Sequence, residues 1–221
     1  MDTKIVLQRI SMIEEQTDKL RNSLFAMKTT DLLKYPANYE ELSTDAALRA
    51  ERITCQLRNL IYVTGIVSKT EYMEKASKVH GIQIHSSKRI LTIQLPGLLP
   101  KRKVHVNSAF INEPLHFALK EYLEHDALPV FENCVVCFIQ VYDRRLPLRR
   151  IRDYDNLEYK QILDTISPFV LRDDSGLFCD SYHTSRLEDK DYTSVHIMDK
   201  SDFPEWLKQK KERISPLSEI S

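Results

Sequence analysis

The sequence predicts a mixed α+β protein, an N-terminal α-helical hairpin followed by a domain of strands and helices. Three observations predict it. Apolar residues recur at alternating spacings of four and three through the first third of the chain. A near-continuous apolar run, Cys134-Val135-Val136-Cys137-Phe138-Ile139-Gln140-Val141-Tyr142, has the length and composition of a strand buried on both faces. Downstream, Leu157, Ile162, Leu163 and Ile166 return to roughly helical spacing. With 221 residues, 42% hydrophobic and 29% charged, the chain is long enough to bury a core and too apolar for a disordered protein. Its zero net charge argues against a uniformly basic nucleic-acid coat protein and leaves room for local basic patches.

In chain order, residues 3–28 read as a helix with the seam Val6, Ile10, Ile13, Thr17, Leu20, Leu24 and Met27. Pro36 interrupts it, and a second helix reads on to Lys78 with Ala46, Ala50, Ile53, Leu57, Leu60, Thr64 and Val67 in its seam. Two matched seams joined by a short connection suggest an antiparallel pair over residues 1–80, as structural packing or as an oligomerisation device. His80-Gly81 is a helix stop. Residues 89–96 read as a strand ended by Pro96, and the following loop delivers the basic cluster Lys101, Arg102 and Lys103. A helix is expected from Pro114 to Leu123, closing strands at 177–179 and 192–198, a charged tip between Arg186 and Asp191, and a short helix carrying Trp206 within 201–221.

Four cysteines without a framework spacing point to reduced thiols and a cytoplasmic location. Cys134 and Cys137 lie three apart in a strand, on opposite faces, so core packing is favoured over a metal or redox pair. No apolar run approaches the ~20 residues that span a bilayer, and the first residues lack the apolar core of a signal peptide. His183 and His196 lack a partner at a recognisable spacing and read as structural or exposed.

The chemistry is concentrated in two windows, Arg149-Arg150-Ile151-Arg152-Asp153-Tyr154-Asp155-Asn156 and Leu171-Arg172-Asp173-Asp174. A helix from Leu157 to Val170 would fold the chain back and return Asp173 and Asp174 toward Asp153 and Asp155. Like charges repel at close range, and a divalent cation is the usual reason to gather them. Hard carboxylate oxygens suit Mg²⁺. Alternate residues of an extended entry segment point the same way, so Asp153 and Asp155 are expected to face one ion. Arginine forks suit phosphate. Taken singly, the same residues also suit an Asp/Asn helix cap and a surface Asp-Asp turn.

Asp-x-Asp-Asn before a helix, with Asp-Asp at its far end and a basic run ahead, resembles the RusA-type Holliday junction resolvases over about residues 88–200. The resemblance implies a small mixed sheet with helices over 86–200 and a homodimer acting on branched DNA. It also implies Mg²⁺-dependent endonucleolytic cleavage, with Mn²⁺ as a substitute. Asp153, Asp155 and Asp174 would hold the metal, with Asp173 the less favoured partner. Asn156 would cap the helix or bind a ligand. Arg149, Arg150, Arg152 and the 101–103 cluster would position the strand. The family carries a lysine four residues after the second motif aspartate; here that residue is Tyr159, and the lysine is Lys160. One helical residue is a rotation of ~100°, so this departure bears on catalysis. A catalytically weak or inactive RusA-like protein that binds or assembles on DNA is the alternative reading.

Overall fold

A computed structural model of the chain describes residues 3–65, 67–87, 89–100 and 109–213. The chain divides into two compact units, residues 1–71 and 72–221. The protein is α+β, as expected, with helices preceding a five-stranded mixed sheet.

The first unit is a hairpin of α1 (Thr3–Thr29) and α2 (Pro36–Thr64). The Ser23 hydroxyl donates to Asp45 Oδ2 at 2.8 Å, and Ile10 and Ile13 share a groove with Leu57 and Leu60. These pairings run in opposite senses, so the helices are antiparallel. Pro36 sits at the start of α2, where its missing N–H has no intrahelical partner to lose. The second helix does not run on to Lys78 but ends at Thr64, because Gly65 takes a left-handed φ of 65°. A separate α3 (Lys69–His80) follows, with the Glu71 N–H donating to Ser68 Oγ at 3.1 Å. Most of α3 belongs to the second unit rather than to a hairpin over 1–80; there Met73 is fully buried and Lys78 pairs with Glu121 at 2.7 Å.

The second unit is built on the sheet order β1-β2-β5-β3-β4, with β1 (Gln83–Ser86), β2 (Ile90–Leu95), β3 (Cys134–Asp143), β4 (Cys179–Glu188) and β5 (Tyr192–Asp199). β3 and β4 are parallel; the other pairs are antiparallel. A parallel pair needs a crossover, and α5 (Lys160–Val170) supplies it. α4 (Ala109–His125) precedes β3, and α6 (Phe203–Arg213) follows β5. β3 is buried from Cys134 to Tyr142, so the apolar run is the interior strand its composition predicts. Its even residues Val136 and Phe138 join the larger core with Leu115, Leu119, Ile162 and Ile166. Its odd residues Cys137 and Ile139 face Met198 and Trp206. Full burial of each such large side chain contributes about 1.5–3 kcal/mol. Cys134 and Cys137 thus lie on opposite faces, and all four cysteines are free thiols. β4 runs further than expected, so the charged tip narrows to Asp189, Lys190 and Asp191. No helix among the described residues is long and apolar enough to cross a membrane.

Candidate functional site

The connection from β3 to α5 carries the motif, and it departs from a simple helix entry. Leu148–Arg150 and Tyr154–Asn156 form single 3₁₀ turns, Leu157 is extended at φ −105° and ψ 147°, and α5 begins only at Lys160. Two tertiary interactions impose this. Leu157 turns its side chain into the core at 3% exposure, and the Glu158 N–H leaves the helix direction to donate to Pro100 O at 3.0 Å. Asn156 therefore does not cap α5, whose preceding residue is Tyr159. Asp153 precedes its turn without a side-chain capping bond. The expected alternation of Asp153 and Asp155 fails as well, because Asp155 lies in a 3₁₀ turn, where residues two apart diverge by roughly 240°.

The loop after β2 underlies this segment. Gln140 Oε1, fully buried, accepts from the Leu99 N–H at 3.2 Å and from the Thr193 hydroxyl at 3.1 Å, while Thr193 Oγ1 also lies 2.9 Å from Gly97 O. Arg152 Nη1 donates to Leu99 O at 3.2 Å, and the Arg152 N–H to Tyr142 Oη at 3.2 Å. Sheet, loop and motif are layered in that order. Lys101, Arg102 and Lys103 lie outside the described residues; Pro100, the last described residue before them, is bonded to the motif.

The arginines divide. Arg150 forks onto Asp191, with Nη1 2.7 Å from Oδ2, and this pair holds the Asp191 carboxyl below the usual carboxylate range. Arg152 is half-buried against Leu99. Arg149 alone of the three is exposed. Arg150 and Arg152 thus brace the loop instead of projecting from it as phosphate ligands.

The carboxylates are exposed: Asp153 and Asp155 on the motif turn, Asp173 and Asp174 after α5. Asp173 Oδ1 accepts the Ser175 N–H at 2.7 Å, closing the Asp-Asp turn. Asp174 lies where its charge acts on Cys179, the first residue of β4, in register with Cys134. Asp153 follows Arg152, held on Tyr142 toward the other end of β3. From Cys134 to Tyr142 is roughly 26 Å of strand at ~3.3 Å per residue. Among the described residues no three His, Cys, Asp or Glu form a group that could hold a metal ion. Asp153, Asp155 and Asp174 are thus not brought together as such a group among the described residues.

What the motif does line is a cleft of about 370 Å³ on the same face of the sheet as Phe138. Asp155, Glu158 and Lys160 stand at it with Tyr154, Tyr159 and His183. Lys160 pairs with Asp164 at 3.5 Å, one turn along α5, and remains largely exposed. Tyr159, in place of the family's lysine, turns inward. Its ring centroid is 4.1 Å from that of His183 and 4.8 Å from that of Phe138. Burial pushes the Tyr159 hydroxyl upward and the His183 imidazole downward from their ordinary pKa values, so both are neutral near pH 7. Tyr154, Glu158 and His183 were not foreseen as site residues. His183 has a sequence signal only in retrospect: its register partner in β3 is Phe138, which places it over the motif.

The whole sequence speaks to kinship. The chain belongs to the family DUF6100. That family's model matches residues 2–221, and its description is a family of unknown function. The match runs through both units, so the helical hairpin is part of what defines the family. No curated protein matches the chain.

Proposed function

We propose that the chain is a RusA-like protein that binds branched DNA through the face carrying the motif. One observation carries the reading. The Glu158 N–H is bonded to Pro100 O, so Pro100, which immediately precedes the basic sequence Lys101-Arg102-Lys103, is held at the motif, and Glu158 itself lines the cleft with Asp155 and Lys160. Exposed Arg149 adds a further cation on the same connection. Phosphate contacts of this kind supply most of the affinity of a DNA-binding surface. The assembly proposed is the homodimer that the resemblance implies.

A second reading, Mg²⁺-dependent endonuclease, is favoured by a separate observation. The carboxylates of Asp153, Asp155 and Asp174 make no hydrogen bond or ion pair among the described residues, so they serve no evident structural purpose. Their separation and the inward turn of Tyr159 stand against it. Mg²⁺ or Mn²⁺, once held, would supply a metal-activated water. The test is incubation of an end-labelled four-way junction with the native chain and with Asp155→Asn, in Mg²⁺ and in Mn²⁺. Retention of the junction without cuts supports the binding protein. Paired cuts by the native chain alone support the nuclease. An unbound junction overturns both.

A further inference from the structure

The cleft beside the motif has features that a phosphate-binding groove does not need. Its floor and one side are aromatic. Phe138 is buried beneath, Tyr159 and His183 lie against each other, and Tyr154 stands 5.9 Å from His183, centroid to centroid, at an interplanar angle of 29°. Tyr154 keeps 39% of its surface exposed, so one aromatic face is available from solvent. Two polar atoms of this wall, Tyr159 Oη and His183 Nδ1, are buried and without a hydrogen-bond partner among the described residues. Unpaired buried polar atoms are unfavourable, so this wall is held at a cost that stability alone does not explain. The rim adds the carboxylates of Asp155 and Glu158. These repel a phosphodiester and accept from N–H donors. The volume, about 370 Å³, falls in the lower part of the ~300–1,000 Å³ range of small-ligand pockets.

A ligand matched to this cleft is planar, carries hydrogen-bonding groups on its edge and presents an amino donor to the rim. We propose that the cleft takes a single unpaired nucleobase, stacked on the exposed face of Tyr154, which His183 backs, with its amino edge toward Asp155 and Glu158. This deepens and rests on the branched-DNA reading, since branch points and bulges are where unstacked bases occur. It gives Tyr159 a place in the wall of the base site, where the resolvases carry a lysine. Thymine, which lacks an amino group, is disfavoured against adenine, cytosine and guanine.

The test uses the full chain and 2-aminopurine, a fluorescent base with an exocyclic amine. It is placed unpaired in a one-base bulge of a duplex, or paired in the same sequence, and is also offered as free 2-aminopurine riboside monophosphate. Stacking in the cleft quenches the bulged probe below its emission in the free duplex, whereas the paired probe, already quenched by stacking on its neighbours, does not change. Tyr154→Phe retains the quenching, and Tyr154→Leu weakens binding of the bulged duplex by about tenfold, within the range of base–aromatic stacking. The exposed position of Tyr154 makes both variants compatible with folding. If a four-way junction binds while the bulged probe keeps its free-duplex emission, or if Tyr154→Leu changes nothing, the base site is wrong and the DNA-binding reading survives. If no DNA binds but the free monophosphate is quenched in a Tyr154-dependent way, the base site stands and the branched-DNA reading falls. Absence of both signals ends both.

Discussion

Leu157 is the residue on which the motif turns. It is extended, 3% exposed, and set between a 3₁₀ turn carrying Asp155 and a helix starting three residues later. Leu157→Ala leaves a hole under the motif and is expected to destabilise the second unit by about 2–5 kcal/mol in urea unfolding. His196 makes a different prediction. The Trp206 indole N–H donates to its Nδ1 at 3.2 Å, and its Nε2 lies 2.9 Å from Ser194 Oγ. Burial pushes its pKa down to about 4. The folded state thus favours neutral His196, whereas the unfolded chain takes up a proton near pH ~6.5. The stability His196 contributes is complete above pH ~6.5 and is lost as pH falls toward about 4. Trp206, the one tryptophan, reports it: the urea midpoint followed by its fluorescence should fall over this window, and less so in His196→Gln. A shallower slope from His183, displaced in the same direction, should persist in the variant. Asp143 works at a lower window. The Arg145 guanidinium and N–H hold its carboxyl at about 2, so its contribution is present above the ordinary carboxylate range and is lost as pH falls toward about 2.

At the scale of elements, what the sequence disclosed follows the range of the forces involved. The interior burial of β3, the opposite faces of Cys134 and Cys137 and the pairing of α1 with α2 are set by local periodicity, and they were legible. The start of α5 was not. Leu157 sits at a spacing that continues the helix, and it is the burial of its side chain together with the bond from Glu158 to Pro100, across 58 residues of sequence, that pulls the chain out of it. The role of Arg150 was hidden for the same reason, because its partner Asp191 lies 41 residues away. Arginines that look free to hold phosphate were already committed. Edge strand β1 carries His85 and Ser86 and has too little apolar pattern to announce itself. The break at Gly65 had a local signal that the continuing seam of Thr64 and Val67 masked. It gives an element-scale prediction. No atom would meet a Cβ at Gly65, so Gly65→Ala acts through its φ of 65° alone. It should lower stability by about 1–2 kcal/mol in thermal unfolding, with no change in the packing of α1 on α2.

For the whole molecule, a zero net charge means that any affinity for DNA comes from where cations are placed. Binding should therefore weaken steeply with added salt, and the slope of log affinity against log salt should become shallower in a Lys101, Arg102 and Lys103 triple alanine variant. A folding defect would lower affinity without this selective change in slope. The family match through residues 2–221 makes the full chain the appropriate material, since hairpin and sheet domain are kept together in DUF6100. The central claim is preference for branched DNA, and competition tests it most directly. A labelled four-way junction bound to the full chain is challenged with unlabelled junction or with unlabelled linear duplex of the same length. A motif face built for branched DNA predicts that junction displaces the label at a concentration about tenfold or more below that of duplex, within the span that separates specific from non-specific binding. Equal displacement by the two competitors, or no retained junction at low salt, would contradict it.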